Sequence, residues 1–148
     1  MNYWLFSTEP DSYPWQKVAS LPAGRPVRWD GIRGYPAQKA MRLIKSGDLI
    51  LAYHSAPEKS VVGIAEAAST SYSAPTVPPE EKDKWHVIDV AWQRWFARPV
   101  PIAEMRSTRA LAKMKFLIMP RLSISPVTPA EWRTILGLAE ARREKREK

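Results

Sequence analysis

The spacing of apolar residues along the chain predicts a domain whose main element is a β-sheet. Aromatic and apolar residues fill Tyr3–Ser7 before a turn-forming segment at residues 8–12, which predicts a first, central strand. Five further runs have strand character: Val27–Trp29, Leu49–Tyr53, Ser60–Ala68, Trp85–Trp95 and Leu122–Ser125. The polar segment 54–59 joins two of these runs and predicts a hairpin with a longer loop.

Helical spacing predicts two short helices in the first third of the chain. Pro14 suits a first helical position, and the residues of the buried face would be Trp15, Val18 and Ala19. A second helix begins at Pro36 and has apolar residues at i, i+3, i+4 and i+7, namely Ala37, Ala40, Met41 and Ile44. The opposite face of this helix is basic, with Lys39, Arg42 and Lys45.

The C-terminal half predicts two more helical stretches. Pro99 and Pro101 are expected to break the chain before a short helical stretch at Ile102–Met114. The last helix begins with a capping box, in which Thr128 is the N-cap and Glu131 is the third helical residue. The expected fold class is therefore α+β, a compact barrel-like domain of five to seven short strands with short flanking helices.

Length and composition exclude several classes of protein. A chain of 148 residues is the size of one domain, which we place at residues 1–138, with 139–148 as a charged C-terminal tail. The absence of cysteine and the presence of only two histidines exclude disulfides and thiolate metal sites, so we expect no metal and no cofactor. No signal peptide and no apolar run of about 20 residues is visible, which predicts a cytosolic protein without a membrane partner. A monomer is the favoured oligomeric state.

The net charge of +8 is concentrated in two segments. Residues 25–45 contain six basic residues and one acidic residue, and residues 94–138 contain eight basic and two acidic residues. Nucleic acid is the natural partner for such blocks, because each neutralised phosphate releases condensed counterions. A solvated basic surface is the alternative interpretation.

Few residues in the sequence suggest catalysis. The chain contains no phosphate-binding glycine motif, no G-x-S-x-G and no H-E-x-x-H. His54 precedes Ser55, a pair that could form a base and a nucleophile, although such neighbours are common without any catalytic role. We therefore expect no enzymatic activity.

The richest group of candidate binding residues lies between Trp29 and Tyr35. This loop holds an indole, a guanidinium from Arg33, a phenol and two glycines, and it leads into the basic helix with Lys39 and Arg42. Aromatic faces can stack on an unpaired base while cations bind the flanking phosphates. The alternative is that Trp29 and Tyr35 are core aromatics beside a turn, the role that we assign to Trp4, Trp92, Trp95 and Trp132.

Five segments of the chain resemble motifs of the EVE domain family, a group within the PUA-like folds. The family patterns are Y-W-L-F-K-S-E-P followed by D-x-[YF]-S-W, then W-x-G-V-R-N-Y-Q-A-R, K-x-G-D-x-x-x-x-Y-H-S, V-V-G-I-A-E and R-L-S-V-x-P-V-T. The matching segments, in the same order, are residues 3–15, 29–38, 45–55, 61–66 and 121–128. The resemblance extends over about residues 2–138.

This resemblance implies a PUA-like β-barrel that accepts a modified, flipped-out nucleobase of DNA or RNA and has no catalytic apparatus. The implied base-binding residues are Trp29, Arg33, Tyr35, Thr8, Tyr53, His54, Ser55 and Arg121, and the implied phosphate-binding residues are Lys39 and Arg42. Three positions depart from the family pattern, with Thr8 in place of Ser, Gly34 in place of Asn and Pro36 in place of a polar residue. Loss of the Asn removes a donor and an acceptor near the implied pocket.

Two other classes of function stay open on the sequence. The first is an enzyme that acts on nucleic acid, with His54 as its proton carrier. The second is a small-molecule or protein-binding module whose basic surface has no specific role.

Overall fold

A computed structural model of the chain describes residues 1–9, 14–22, 25–29, 35–73, 80 and 85–147, with the backbone alone at residues 35 and 141–147. Within these ranges the strands are β1 Tyr3–Thr8, β2 Val27–Trp29, β3 Leu49–His54, β4 Ser60–Ala67, β5 Tyr72–Ser73, β6 His86–Pro101 and β7 Ile124–Val127. The helices are α1 Trp15–Ala19, α2 Tyr35–Met41, α3 Ile102–Arg106, α4 Lys115–Ile118 and α5 Pro129–Glu147. A 3₁₀ turn spans Arg109–Leu111.

The strands form one mixed, curled sheet with the geometry of a half-barrel. Its order is β2-β6-β4-β3-β1-β7, and β5 pairs with the beginning of β6. β1 and β3 are parallel, whereas the other pairs are antiparallel. The first strand therefore lies inside the sheet, between β3 and β7, as predicted, and the predicted α+β, PUA-like fold is confirmed.

The two faces of the sheet carry separate hydrophobic cores. On β1, Trp4 and Phe6 belong to one core, which also contains Trp15 of α1 and the buried side of α2. Leu5 belongs to the other core, which packs against α3, α4 and α5. This alternation follows from the two-residue repeat of a strand, and it separates the side chains of neighbouring residues into different environments.

The capping box of α5 forms as predicted. The Thr128 backbone N–H donates to Glu131 Oε1 at 3.0 Å, and the Glu131 N–H donates to Thr128 Oγ1 at 3.1 Å. The helix then continues to Glu147 through the segment predicted as a tail, with Ala139 still buried.

The structure corrects the predicted break at the two prolines. β6 continues through Pro99 to Pro101, because Val100 pairs with Val61 of β4. Pro99, which has no N–H to donate, is exposed and lies at a shift in the pairing register, where a strand tolerates proline. The predicted helical stretch at residues 102–114 is divided into α3 and the 3₁₀ turn.

The structure also corrects the prediction that Trp95 is a core residue. Its side chain is 41% exposed, since β6 is bulged at the residues that precede it.

Gly63 is required by the packing of β4 against β6. A Cβ atom at this position would lie 2.4 Å from the carbonyl oxygen of Arg94 and within 2.9 Å of the Trp92 ring. The close approach of the Trp92 ring to the β4 backbone therefore depends on the absence of a side chain.

We predict that Gly63→Ala lowers the free energy of unfolding by about 1–3 kcal/mol, because the strands must separate to admit the methyl group. Chemical denaturation measures the change. Gly137→Ala is the matched control: the position is exposed on α5 with no atom within 4 Å, so the substitution should stabilise by roughly 1 kcal/mol through helix propensity. Equal effects of the two substitutions would contradict the packing argument.

Asp48 connects the N-terminus to the segment before β3. Its carboxylate accepts hydrogen bonds from the backbone N–H of Asn2 and Lys45, both at 3.0 Å, and from the Trp4 indole N–H at 2.9 Å. Burial alone would raise the pKa of Asp48, but these three donors favour the anion and hold the pKa below its ordinary value of 3.8.

A group whose pKa is lowered by folding stabilises the folded state above the unfolded pKa, and this stabilisation is lost as the pH falls through the folded pKa. We therefore predict that the free energy of unfolding of the parent decreases below about pH 4. Asp48→Asn should make the protein less sensitive to acid, and it should lower the free energy of unfolding at pH 7 by about 1.5–3 kcal/mol. Urea titrations between pH 2.5 and 7 measure both effects. The exposed Glu140→Gln is the control for net charge, and an identical acid profile in Asp48→Asn and the parent would contradict the assignment.

Candidate functional site

The parallel pairing of β1 and β3 brings three of the predicted site residues to one edge of the sheet. Thr8 and His54 are aligned at the carboxyl ends of the two strands. Ser55 continues the ladder, because its backbone N–H donates to the Thr8 carbonyl at 2.9 Å, and its hydroxyl makes a long contact of 3.4 Å with the same oxygen.

His54 is buried and makes a hydrogen bond through each ring nitrogen. Nε2 accepts the backbone N–H of Trp15 at 2.9 Å, and Nδ1 lies 2.6 Å from Glu58 Oε1. A nitrogen that accepts a hydrogen bond carries no proton, so the proton is on Nδ1 and is donated to the carboxylate. The imidazole thus joins α1 to the end of β3 and orients both.

Trp15 is the aromatic centre of this region. Its indole N–H donates to the Tyr53 carbonyl at 3.1 Å. Its ring stacks on Trp29 with a centroid distance of 4.7 Å and an interplanar angle of 13°, and it contacts Trp92 at 5.8 Å. The side chain is fully buried, so α1 is held against β2, β3 and β6 at once.

Trp29, predicted as a stacking residue, is 6% exposed and lies between Trp15 and Phe6. One face of its ring is therefore used by the core, as in the alternative interpretation. Arg33 lies outside the described residues, and Tyr35 is the first residue of α2 with only its backbone described. Their part in a base pocket stays a prediction.

The Tyr53 side chain does not face this edge. It lies on the opposite face of β3, in contact with Phe116 at a centroid distance of 4.6 Å, because side chains alternate along the strand. Burial raises the pKa of Tyr53 to about 12, although the Arg106 charge opposes the shift. Only the carbonyl group of Tyr53, which accepts the Trp15 indole N–H, takes part in the site.

The predicted cations Arg121, Lys39 and Arg42 are exposed at two separate places. Arg121 is exposed two residues before Ser123, whose carbonyl accepts the Ser7 N–H at 2.8 Å, so the Arg121 segment is attached beside the end of β1. Lys39 and Arg42 are exposed on α2 and the turn that follows it. The structure thus places the predicted phosphate-binding residues on a different element from Thr8, His54 and Ser55.

Two contributors were missed in the sequence. Trp15 is the last residue of the segment that matches D-x-[YF]-S-W, so the motif could have indicated a role at the site. We predicted it only as a residue of the buried face of the first helix. Glu58 had no signal, because an exposed loop carboxylate four residues after a histidine is common. Within the described ranges, no group of three potential metal-binding side chains occurs and no helix has the length and hydropathy needed to cross a membrane.

Comparison with known proteins agrees with this fold over nearly the whole chain. The EVE domain model matches residues 2–138. Thymocyte nuclear protein 1 of Mus musculus is 28% identical, with 94% of this chain and 74% of the relative covered. A protein from Rhodopseudomonas palustris, solved by NMR, is 31% identical with a TM-score of 0.86, covering 95% of this chain and 94% of that one.

The structure of human thymocyte nuclear protein 1, THYN1, was solved in complex with DNA that contains 5-methylcytosine. It is 26% identical to this chain with a TM-score of 0.85, covering 95% of this chain and 98% of that one. The match of the family model, the shared fold and the motif order lead to one conclusion. This chain belongs to the EVE domain family.

Proposed function

We propose that this chain binds nucleic acid and recognises a modified base that is turned out of its strand, without altering it chemically. The observation that carries the proposal is the close similarity of its fold to that of human THYN1, whose structure contains DNA with 5-methylcytosine. The proposed base site comprises the edge with Thr8 and Ser55 and, from the family motif in the sequence, residues 30–35.

The polar groups at this edge support recognition of a base by hydrogen bonds. Thr8 and Ser55 are half-buried and carry their hydroxyls on a backbone fixed by the strand ladder. A base that leaves its stack exposes a hydrogen-bonding edge and two apolar faces. The buried Trp15 and Trp29 rings supply a rigid aromatic wall behind the edge.

Cations support the phosphate part of the proposal. Arg121 lies beside the end of β1, and Lys39 and Arg42 follow the proposed loop along α2. In this arrangement phosphate contacts position the strand, whereas contacts to the base supply specificity. Arg33 and Tyr35 are proposed to complete the pocket, and Gly34, which stands where the family has Asn, is proposed to change the preferred base.

An enzymatic role for His54 is the less favoured candidate. The Nε2 lone pair is used by the Trp15 N–H and the ring is 1% exposed, so this nitrogen is not oriented to accept a proton from a substrate. The described bond of the Ser55 hydroxyl is to the Thr8 carbonyl. We propose that His54 positions α1 and that it carries no proton in a reaction.

We predict that the parent prefers at least one modified oligonucleotide over its plain counterpart by tenfold or more. Fluorescence anisotropy should compare DNA and RNA 11-mers that carry cytosine, 5-methylcytosine, 5-hydroxymethylcytosine or N6-methyladenine. With four phosphates neutralised on a single strand, the log-log dependence of affinity on salt would have a slope of about −3.

Ser55→Ala should reduce the preference for the modified base by about two- to tenfold, the range for one neutral hydrogen bond. Ser107→Ala is the matched control, because this exposed hydroxyl donates to a local carbonyl, that of Glu104, at 2.9 Å away from the edge. Equal affinity for all modified and plain oligonucleotides would refute the proposal.

We predict that the preferred oligonucleotide is recovered chemically intact after long incubation with the parent, with or without Mg²⁺, as measured by mass spectrometry.

His54→Ala should lower the free energy of unfolding by about 1–3 kcal/mol, because it leaves the buried Trp15 N–H without an acceptor. His54→Gln offers an amide oxygen to the same donor and should restore part of the loss. Cleavage or base loss with the parent would contradict the prediction of an intact oligonucleotide. If that activity persisted in folded His54→Gln, His54 would be excluded as its proton carrier; if both substitutions abolished it, an enzyme that uses His54 would be favoured.

A further inference from the structure

A groove of about 420 Å³ lies between α2, β7 and the start of α4, apart from the edge with Thr8 and Ser55. It is lined by Trp4, Pro36, Lys39, Ala40, Leu43, Lys115, Leu122, Ile124 and Pro126. Its volume is within the range of sites that hold drug-sized molecules.

The groove has an apolar floor and an apolar wall. Trp4, Ala40 and Ile124 are buried members of the core on the Trp15 side of the sheet, and they form the floor. Leu43, on the turn after α2, is 59% exposed. A solvent-exposed leucine beside a groove of this size offers contact area that the fold itself does not use.

Two lysines from separate elements lie at the groove. Lys39 comes from α2 and Lys115 is the first residue of α4, and both are exposed. In the part of the chain that the structure describes, neither ammonium has an ion-pair partner. Asp48, whose carboxylate accepts the indole N–H of the groove residue Trp4, is already occupied by three donors. The groove is therefore complementary to a ligand that is apolar on one side and anionic on the other.

We infer that this groove binds one nucleotide of the strand that flanks the recognised base, with its sugar and base against Leu43 and its phosphate between Lys39 and Lys115. This inference rests on the proposed function. It adds Lys115 and Leu43 to the interface and assigns the strand a path along α2.

The position of the groove agrees with such a path. Trp4, which lines the groove, precedes Thr8 on β1 by a distance of about 13 Å at roughly 3.3 Å per residue. A stacked strand rises about 3.4 Å per nucleotide, so a few nucleotides connect the two sites. Pro36, which also lines the groove, follows the proposed base-site residue Tyr35 directly in the sequence.

The test compares Lys115→Ala with Lys113→Ala, which removes an exposed lysine two residues away that does not line the groove. The probe is a single-stranded DNA 9-mer with 5-methylcytosine at its centre. Lys115→Ala should reduce affinity about fivefold at 0.1 M salt and the salt slope by about 0.7, while discrimination against plain cytosine is unchanged. Lys113→Ala should change neither quantity.

The apolar wall is tested in the same way. Leu43→Ser should weaken binding by about three- to tenfold without changing the salt slope, because it removes part of one aliphatic contact. Ile118→Ser is the control, since Ile118 is 63% exposed and does not line the groove.

A series of 9-mers with one neutral methylphosphonate each identifies the phosphate. At one position the neutral linkage should cost the parent more affinity than it costs Lys115→Ala, because one of the two lysine contacts to that phosphate is already absent in the variant; this difference is the signature of a direct contact. If the parent binds the 9-mers and discriminates the modified base, but no position of the series behaves in this way, the assignment of the groove is wrong while the proposed function stands. If an oligoglutamate peptide displaces the 9-mer from the parent but not from Lys115→Ala, and no methylphosphonate position depends on Lys115, the groove binds an acidic protein and not a nucleotide. No binding of any oligonucleotide by the parent would overturn both proposals.

Discussion

The attachment of Trp15 to the end of β3 is the interaction on which the candidate site depends. The residue donates its backbone N–H to His54 and its indole N–H to the Tyr53 carbonyl, and its ring stacks on Trp29. Two directional bonds and one stacked ring leave little freedom for a five-residue helix that is too short to be stable alone. These contacts fix α1 against the end of β3, where His54 is aligned with Thr8.

The same packing explains why a small sheet can hold so many large rings. Trp92 lies over β4 only because Gly63 has no side chain, and Trp92 in turn contacts Trp15. The sheet separates this aromatic core from the core beneath α5, so a residue such as Tyr53 contributes its carbonyl to one side and its ring to the other. Trp15 and Trp29, the aromatic residues near the edge, are therefore part of the hydrophobic core.

In the proposed function, the contacts to the base and the contacts to phosphate lie on separate parts of the domain. The Thr8 and Ser55 hydroxyls are at the carboxyl end of β1, whereas Lys39 and Lys115 line the groove beside Trp4, near the start of that strand. Specific contacts to a base and general contacts to phosphate would then be made by separate elements. Changes in the loop at residues 30–35, where this chain has Gly34, would alter the base that is preferred without altering the attraction to the strand.

Local sequence patterns determined most of the elements of this protein. Strand runs, the stripe of α2 and the capping box at Thr128 and Glu131 depend on interactions within a few residues, so they were predictable, and the motif order was sufficient for the family and the fold. Tertiary structure decided which side chains reach the site. The parallel register of β1 and β3 joined Thr8 to His54, 46 residues away, and strand alternation turned the Tyr53 ring to the opposite core. Continuation of β6 through Pro99 also required its partner β4, because a proline in a strand is tolerated only where no neighbour needs its missing N–H.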